Sequence, residues 1–215
     1  MAARAVIFDF GGVITTSPFE AFNRHEAEHG LPRDFLRGVN AHDPLENAWA
    51  LLERGEIDSA TFDTRFAEES ERLGYRVPGA EVLPLLSGDI RPGMVAALKA
   101  CRAAGLKVAC ITNNVRTGSG AGMAGTTEKA AAVAEVMALF DAVVESSRAG
   151  VRKPDPRIYR LMLETLGLPA ADCVYLDDLG VNCKPAAALG MTAIKVESEA
   201  QALAALSAVT GLELI

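Results

Sequence analysis

The chain has 215 residues, half of them apolar and 23% charged, with a net charge of −7. That length suits one domain with an insertion, or two small ones, and the acidic balance argues against nucleic acid as a partner. No apolar run nears the ~20 residues that span a bilayer, and Asp9 interrupts the apolar start too soon for a secretory leader, so a soluble cytoplasmic protein is expected.

Ala5–Phe8 reads as a buried strand that stops at Asp9 and runs into a flexible turn at Gly11-Gly12. Pro18–His29, Arg33–Gly38, Leu45–Arg54 and Ser59–Leu73 then read as helices with no strand between them, Asp58 or Ser59 being a plausible N-cap. From there strands and helices alternate. Val95–Ala104 precedes a strand at Lys107–Thr112, Glu128–Leu139 one at Asp141–Glu145, Arg157–Leu166 one at Cys173–Leu176, and Pro185–Leu189 one at Thr192–Val196. Gly105, Gly167 and Gly190 supply left-handed helix ends, and Glu199–Val209 closes the chain as a helix.

This order predicts an α/β fold, a doubly wound, Rossmann-like parallel sheet formed by residues 1–16 and 88–215. A helical cap, residues 17–87, is inserted after the first strand. Cys101, Cys110, Cys173 and Cys183 show no CxxC spacing and read as buried, reduced thiols.

Ligands of such sheets bind beyond the carboxyl ends of the strands. Strand one ends in Asp9, strand two in Thr112-Asn113, and the loop after strand three carries Lys153. Strand four ends in Asp177-Asp178, with Asn182 just beyond. Hard oxygen ligands suit Mg²⁺, which keeps several waters and binds substrate phosphate oxygens. A carboxylate such as Asp9 can attack phosphorus to give an aspartyl phosphate, while a hydroxyl, backbone N–H groups and a lysine neutralise the developing charge. Asp178 would reach the metal directly, and Asp177 and Asn182 would position the metal, its waters or Lys153.

These motifs resemble those of the haloacid dehalogenase superfamily, in the subfamily with a helical cap after the first strand. The runs Tyr175–Ala186 and Val151–Tyr159, and the ending Val209–Leu214, resemble the N-terminal phosphatase-like domain of soluble epoxide hydrolases. The 215 residues are expected to carry no counterpart of the epoxide-cleaving domain. The resemblance implies Asp9 as nucleophile and Mg²⁺ ligand, Thr112 and Asn113 as phosphate contacts, and Lys153 as the phosphoryl counter-charge. It implies a metal held by Asp9, the Gly11 carbonyl and Asp178, supported by Asp177 and Asn182. The departure is Gly11, where phosphatases of this family usually carry the acid–base Asp. A slow Mg²⁺-dependent phosphohydrolase acting on a small phosphorylated metabolite, as monomer or homodimer, is expected. A 2-haloacid dehalogenase, whose halide needs no protonation, and a weakly active phospho-ligand-binding protein are the alternatives.

Two further motifs are weighed against this reading. His25-Glu26-Ala27-Glu28-His29 spells the HExxH of zinc proteases, but Gly30 and Pro32 end the helix at once, and surface or cap-lining histidines are expected. Gly120–Gly125 fits GxGxxG with Glu145 downstream, yet Asn113–Ser119 separate it from its strand, and a loop bordering the site is expected.

Overall fold

The computed structural model describes residues 3–115 and 126–214. The strands are β1 (Ala5–Phe8), β2 (Lys107–Thr112), β3 (Ala142–Glu145), β4 (Cys173–Asp177) and β5 (Thr192–Lys195). They form one parallel sheet in the order β3-β2-β1-β4-β5, which puts β1 at the centre. All four residues of β1 are buried, as expected for a strand covered on both faces. Alternation sends Val6 and Phe8 into one apolar layer and Ala5 and Ile7 into the other.

Helices α1 (Phe19–Glu28), α2 (Phe35–Ala41), α3 (Ala48–Glu53), α4 (Ser59–Arg72) and α5 (Gly79–Val82) follow β1 without an intervening strand. They share a core of their own around Trp49, Phe62 and Phe66. The chain leaves and re-enters the α/β part through paired segments: Thr15 bridges Ile90, and Thr16 N–H donates to the Asp89 carbonyl at 2.8 Å. Gly88 is needed there, since a Cβ would lie 2.5 Å from the Thr16 carbonyl oxygen.

The remaining helices are α6 (Pro92–Ala103), α7 (Thr127–Met137), α8 (Ser146–Ala149), α9 (Pro156–Leu166), α10 (Gly180–Ala188) and α11 (Glu199–Thr210). Met94 and Leu98 of α6 and Leu206 of α11 cover one sheet face, and Ile158, Tyr159 and Met162 of α9 the other. Pro156 opens α9 where its missing N–H costs nothing, and Gly167 closes it at φ 64°.

Several boundaries differ from the sequence reading. The third helix starts at Ala48 rather than Leu45, because the Asn47 carboxamide caps it by accepting from Ala50 N–H at 2.8 Å. The Arg33–Gly38 prediction is shifted to Phe35–Ala41. Helix α10 begins at Gly180, and Pro185 lies inside it. The carbonyl that Pro185 leaves unserved belongs to Val181, which is exposed and so open to water. Phe10–Ile14 forms a wide turn, closed by Thr15 N–H to the Phe10 carbonyl at 3.0 Å and not helical at Gly11 (ψ 130°) or Gly12 (φ 78°). Asp58 caps α4 as expected, accepting from Thr61 N–H at 2.8 Å. All four cysteines are free and buried. Among the described residues no helix is long and apolar enough to cross a membrane.

Candidate active site

The register Phe8↔Leu176 brings the residues after them, Asp9 and Asp177, abreast at the carboxyl ends of two neighbouring strands. The ladder continues one step, with Asp9 N–H donating to the Leu176 carbonyl at 2.8 Å. The ammonium of Lys153 sits between the two acids, 2.7 Å from Asp9 Oδ1 and 2.8 Å from Asp177 Oδ2, and is 1% exposed. Burial disfavours its charge, but Asp177 and Asp9 outweigh that and push its pKa up.

Asp177 is fully buried and satisfied on both oxygens. Oδ2 accepts from Lys153 and from the Tyr175 hydroxyl at 2.5 Å, Oδ1 from Leu179 N–H at 2.8 Å, and the Asn182 amide lies 3.1 Å from each. Asn182 is anchored in turn, its carbonyl accepting from the Tyr159 hydroxyl at 2.8 Å. The Asp177–Asn182 pair thus acts on Lys153. Asp9 Oδ1 also accepts from Phe10 N–H at 2.6 Å, so two donors pin that oxygen. Burial, with Asp177 and Asp178 nearby, raises the Asp9 pKa well above its ordinary value, Lys153 opposing.

Asp178 lies over the turn that follows β1. A Cβ on Gly12 would stand 2.2 Å from Asp178 Oδ2, and Gly12 has φ 78°, so both space and backbone require glycine there. Gly11 differs: it is exposed, has φ −69° and ψ 130°, and a Cβ would meet nothing within 4 Å. Burial, then the charge of Asp177, pushes the Asp178 carboxyl up to about 6.

Carboxylate oxygens of Asp9, Asp177 and Asp178 lie within 4.8 Å of one another. Three acids against the single Lys153 leave a surplus of two negative charges when all are ionised. A divalent cation with a preference for oxygen fits that surplus. Since Asp177 is spent on protein donors, Asp9 and Asp178 are the carboxylates left for it.

Thr112 ends β2 half-buried, opposite Glu145. The Asn113 side chain holds the loop that carries Lys153: Oδ1 accepts from Lys153 N–H at 2.9 Å, and Nδ2 donates to the Lys153 carbonyl at 3.1 Å. The same Nδ2 lies 3.1 Å from Glu53 Oε2, at the end of α3. Glu53 is buried and meets Trp49 Nε1 at 2.9 Å and Arg152 Nε at 2.6 Å; burial raises its pKa and Arg152 opposes. Sequence reasoning passed over Glu53, Tyr175 and Tyr159. The one signal for Glu53 was an acid four residues after Trp49 in an otherwise apolar helix.

Neither weighed motif adds to this site. Glu26, the acid of HExxH, is 1% exposed and caps α2, accepting from Asp34 N–H at 2.8 Å and Leu36 N–H at 2.9 Å. It is not free to act as a protease base. Gly120–Gly125 lie outside the described residues, and Glu145 is bound to Asn114 at 2.8 Å and Arg148 at 2.9 Å. A cavity of about 440 Å³ opens elsewhere, lined by Val39, His42, Asn47 and Arg72, and contains none of the strand-end residues.

A family model described as haloacid dehalogenase-like hydrolase matches residues 3–190. Mouse acyl-CoA dehydrogenase family member 10 is 35% identical over 98% of this chain, and pig bifunctional epoxide hydrolase 2 is 33% identical over 100% of it. The chain spans only 19% and 40% of those two proteins. Phosphatase MT3486 of Mycobacterium tuberculosis is 28% identical, with 94% of this chain and 90% of that protein covered. Among solved structures, L-2-haloacid dehalogenase from Xanthobacter autotrophicus with chloropropionic acid covalently bound shares the fold. Its TM-score is 0.60 at 20% identity, covering 99% of this chain and 85% of that one.

Proposed function

The chain belongs to the haloacid dehalogenase-like hydrolases, and from that premise we propose that it is a Mg²⁺-dependent phosphohydrolase whose nucleophile is Asp9. The observation that carries this reading is Lys153 Nζ, bridging Asp9 and Asp177 at 2.7 and 2.8 Å. Its charge opposes the burial that raises the Asp9 pKa, and it would offer a fixed positive charge to phosphoryl oxygens bound beside Asp9.

Mg²⁺ would be held by Asp9, Asp178 and the Gly11 carbonyl, supported by Asp177 and Asn182, and when bound would neutralise charge on the phosphoryl group. Asp9 Oδ1 is pinned by Phe10 N–H and Lys153, which leaves Oδ2 as the attacking atom. Oδ2 forms a bond to phosphorus as the bond from phosphorus to the leaving oxygen breaks. Water then attacks the aspartyl phosphate, releasing inorganic phosphate and restoring Asp9. Thr112 contributes its hydroxyl to the phosphoryl oxygens. Asn113 contributes its backbone, its side chain being engaged with Lys153 and Glu53.

With glycine at position 11 no carboxylic acid stands there to protonate the leaving oxygen. Turnover is therefore slow and favours acyl and aryl phosphates, whose anions leave unaided. Residues 17–87 act as a cap that selects a small phosphorylated metabolite. The name of the mycobacterial relative supports phosphate chemistry.

The test is phosphate release, with and without Mg²⁺, by wild type and Asp9→Asn. Release that needs both Mg²⁺ and Asp9 supports the reading, and equal release by the two proteins removes Asp9 as nucleophile. Chloride release from a 2-haloacid without Mg²⁺ would favour dehalogenation, a chemistry that needs no acid at position 11.

A further inference from the structure

We propose that His25, His29 and Glu81 form a second cation site, between α1 and α5, suited to a divalent d-block ion, with Zn²⁺ the best match. The two histidines are one helical turn apart on α1, and their rings stack with centroids 4.0 Å apart and planes at 25°. His29 Nδ1 lies 2.8 Å from the His25 carbonyl oxygen. A carbonyl can only accept, so Nδ1 carries the proton and the Nε2 lone pair is left for a ligand bond. Metal-binding histidines are commonly fixed in this way through their other nitrogen.

The second observation is His25 Nε2. His25 is 8% exposed, yet Nε2 has no hydrogen-bond partner among the described residues and stands 3.7 Å from Glu81 Oε2. A buried ring nitrogen without a partner is costly, and a shared cation removes that cost. Ligand atoms of the three side chains lie within 4.8 Å of one another. Two donors on a tetrahedral zinc, each about 2.0–2.2 Å away, are roughly 3.4 Å apart, and an imidazole binds an ion lying in its own ring plane. Closing the set therefore requires the His25 ring, whose Nε2 makes no hydrogen bond among the described residues, to turn out of the stack while His29 stays fixed through Nδ1.

The donor set decides the metal. Two imidazoles and one carboxylate suit zinc and its neighbours and disfavour Mg²⁺ and Ca²⁺, which want oxygen. Peptide hydrolysis does not follow, because Glu26 is committed to Asp34 and Leu36. The effect is structural: α1 opens the helical insertion and α5 lies near its end, so the cation ties the two together. None of the Asp9 cluster takes part.

The experiment is equilibrium dialysis of Zn²⁺ against the whole protein in excess Mg²⁺, paired with thermal melts. Wild type, His29→Ala, Glu81→Ala and Asp178→Asn are compared. His29 and Glu81 are exposed, so their variants keep the metal-free fold. One Zn²⁺ resists Mg²⁺ in wild type and Asp178→Asn and raises the melting temperature, and its affinity falls at least ~10-fold in His29→Ala and Glu81→Ala. The ¹⁵N shifts of the His25 and His29 ring nitrogens move on loading. No Mg²⁺-resistant uptake, unchanged affinity in both His29→Ala and Glu81→Ala, or uptake abolished only by Asp178→Asn would overturn the proposal.

Discussion

Glu53 Oε2 stands 3.1 Å from Asn113 Nδ2, so a carboxylate of the helical insertion holds an amide at the end of β2. The same carboxylate pairs with Arg152 at 2.6 Å, and Arg152 Nη1 reaches back to the Pro44 carbonyl at 3.0 Å. Arg152 adjoins Lys153 in the sequence, and the Asn113 side chain holds the Lys153 backbone in space. The insertion is therefore joined to the two segments that position the ammonium. Glu53→Ala removes the buried carboxylate that Arg152 Nε and Trp49 Nε1 meet and one of the two acceptors of the Asn113 amide. Among the described residues this leaves Arg152 only the Pro44 carbonyl and the Asn113 amide only the Lys153 carbonyl. We expect a loss of about 3 kcal/mol, the scale of breaking a buried pair, and a fall in melting temperature of roughly 6–12 °C. Calorimetric melts check this, and a shift under about 2 °C would place the pair among ordinary surface contacts.

Asp177→Asn keeps the shape but removes the charge that steadies Lys153. Turnover of an aryl phosphate should fall about 10²-fold, as expected when a charged group loses its orientation. Tyr175→Phe removes only one of several donors to Asp177, worth about 1 kcal/mol, and should cost under tenfold. Steady-state rates on the two variants decide it; equal losses would contradict this ranking.

Gly11→Asp tests the missing acid. The position has an ordinary backbone conformation and open space, so the fold should tolerate the change. Alkyl phosphate turnover should rise, by up to ~10²–10⁴-fold if the carboxylate reaches the leaving oxygen, and aryl phosphate turnover far less. Rates on matched alkyl and aryl substrates provide the check, and no alkyl gain counts against the account. Gly12→Ala should instead disrupt the site, since its Cβ would enter the Asp178 carboxylate.

The Asp178 carboxyl titrates near 6 when folded, against an ordinary value of 3.8. A raised carboxyl favours the folded state below the lower value, and that contribution is lost as pH rises through the upper one. In Mg²⁺-free buffer, Asp178→Asn should therefore be the more stable protein at pH 7–8, with the difference shrinking towards pH 4. If Asp178 holds Mg²⁺ as proposed, protons and Mg²⁺ would compete for its carboxylate, and Mg²⁺ affinity should fall about tenfold per pH unit below 6. Melts and calorimetric Mg²⁺ titrations across this range test both, and a pH-independent affinity would remove Asp178 from the metal site.

The strand ends were legible in the sequence because each announces itself locally. An apolar β-prone run that stops at Asp9, Thr112 or Asp177 marks a sheet edge whatever lies elsewhere, and the alternation with helices implies their parallel order. The start of α10 was hidden by Pro185, whose bias against helix interiors is overridden at an exposed turn. The wide turn at Phe10–Ile14 had no periodic signature at all.

What the sequence determined by itself was the set of chemical groups and the sheet edge at which they meet, since strand order and period are local properties of the chain. Tertiary structure decided how those groups divide their bonds. Asp177 and Asp178 are neighbours in the chain, yet one is enclosed by Lys153, Tyr175, Leu179 and Asn182 while the other faces Gly12. Glu53 belongs with the site only because α3 folds back onto β2. Gly11 and Gly12 look alike in the sequence; the nearness of Asp178 makes only Gly12 obligatory. Such distinctions depend on long-range distances, which no local pattern of residues encodes.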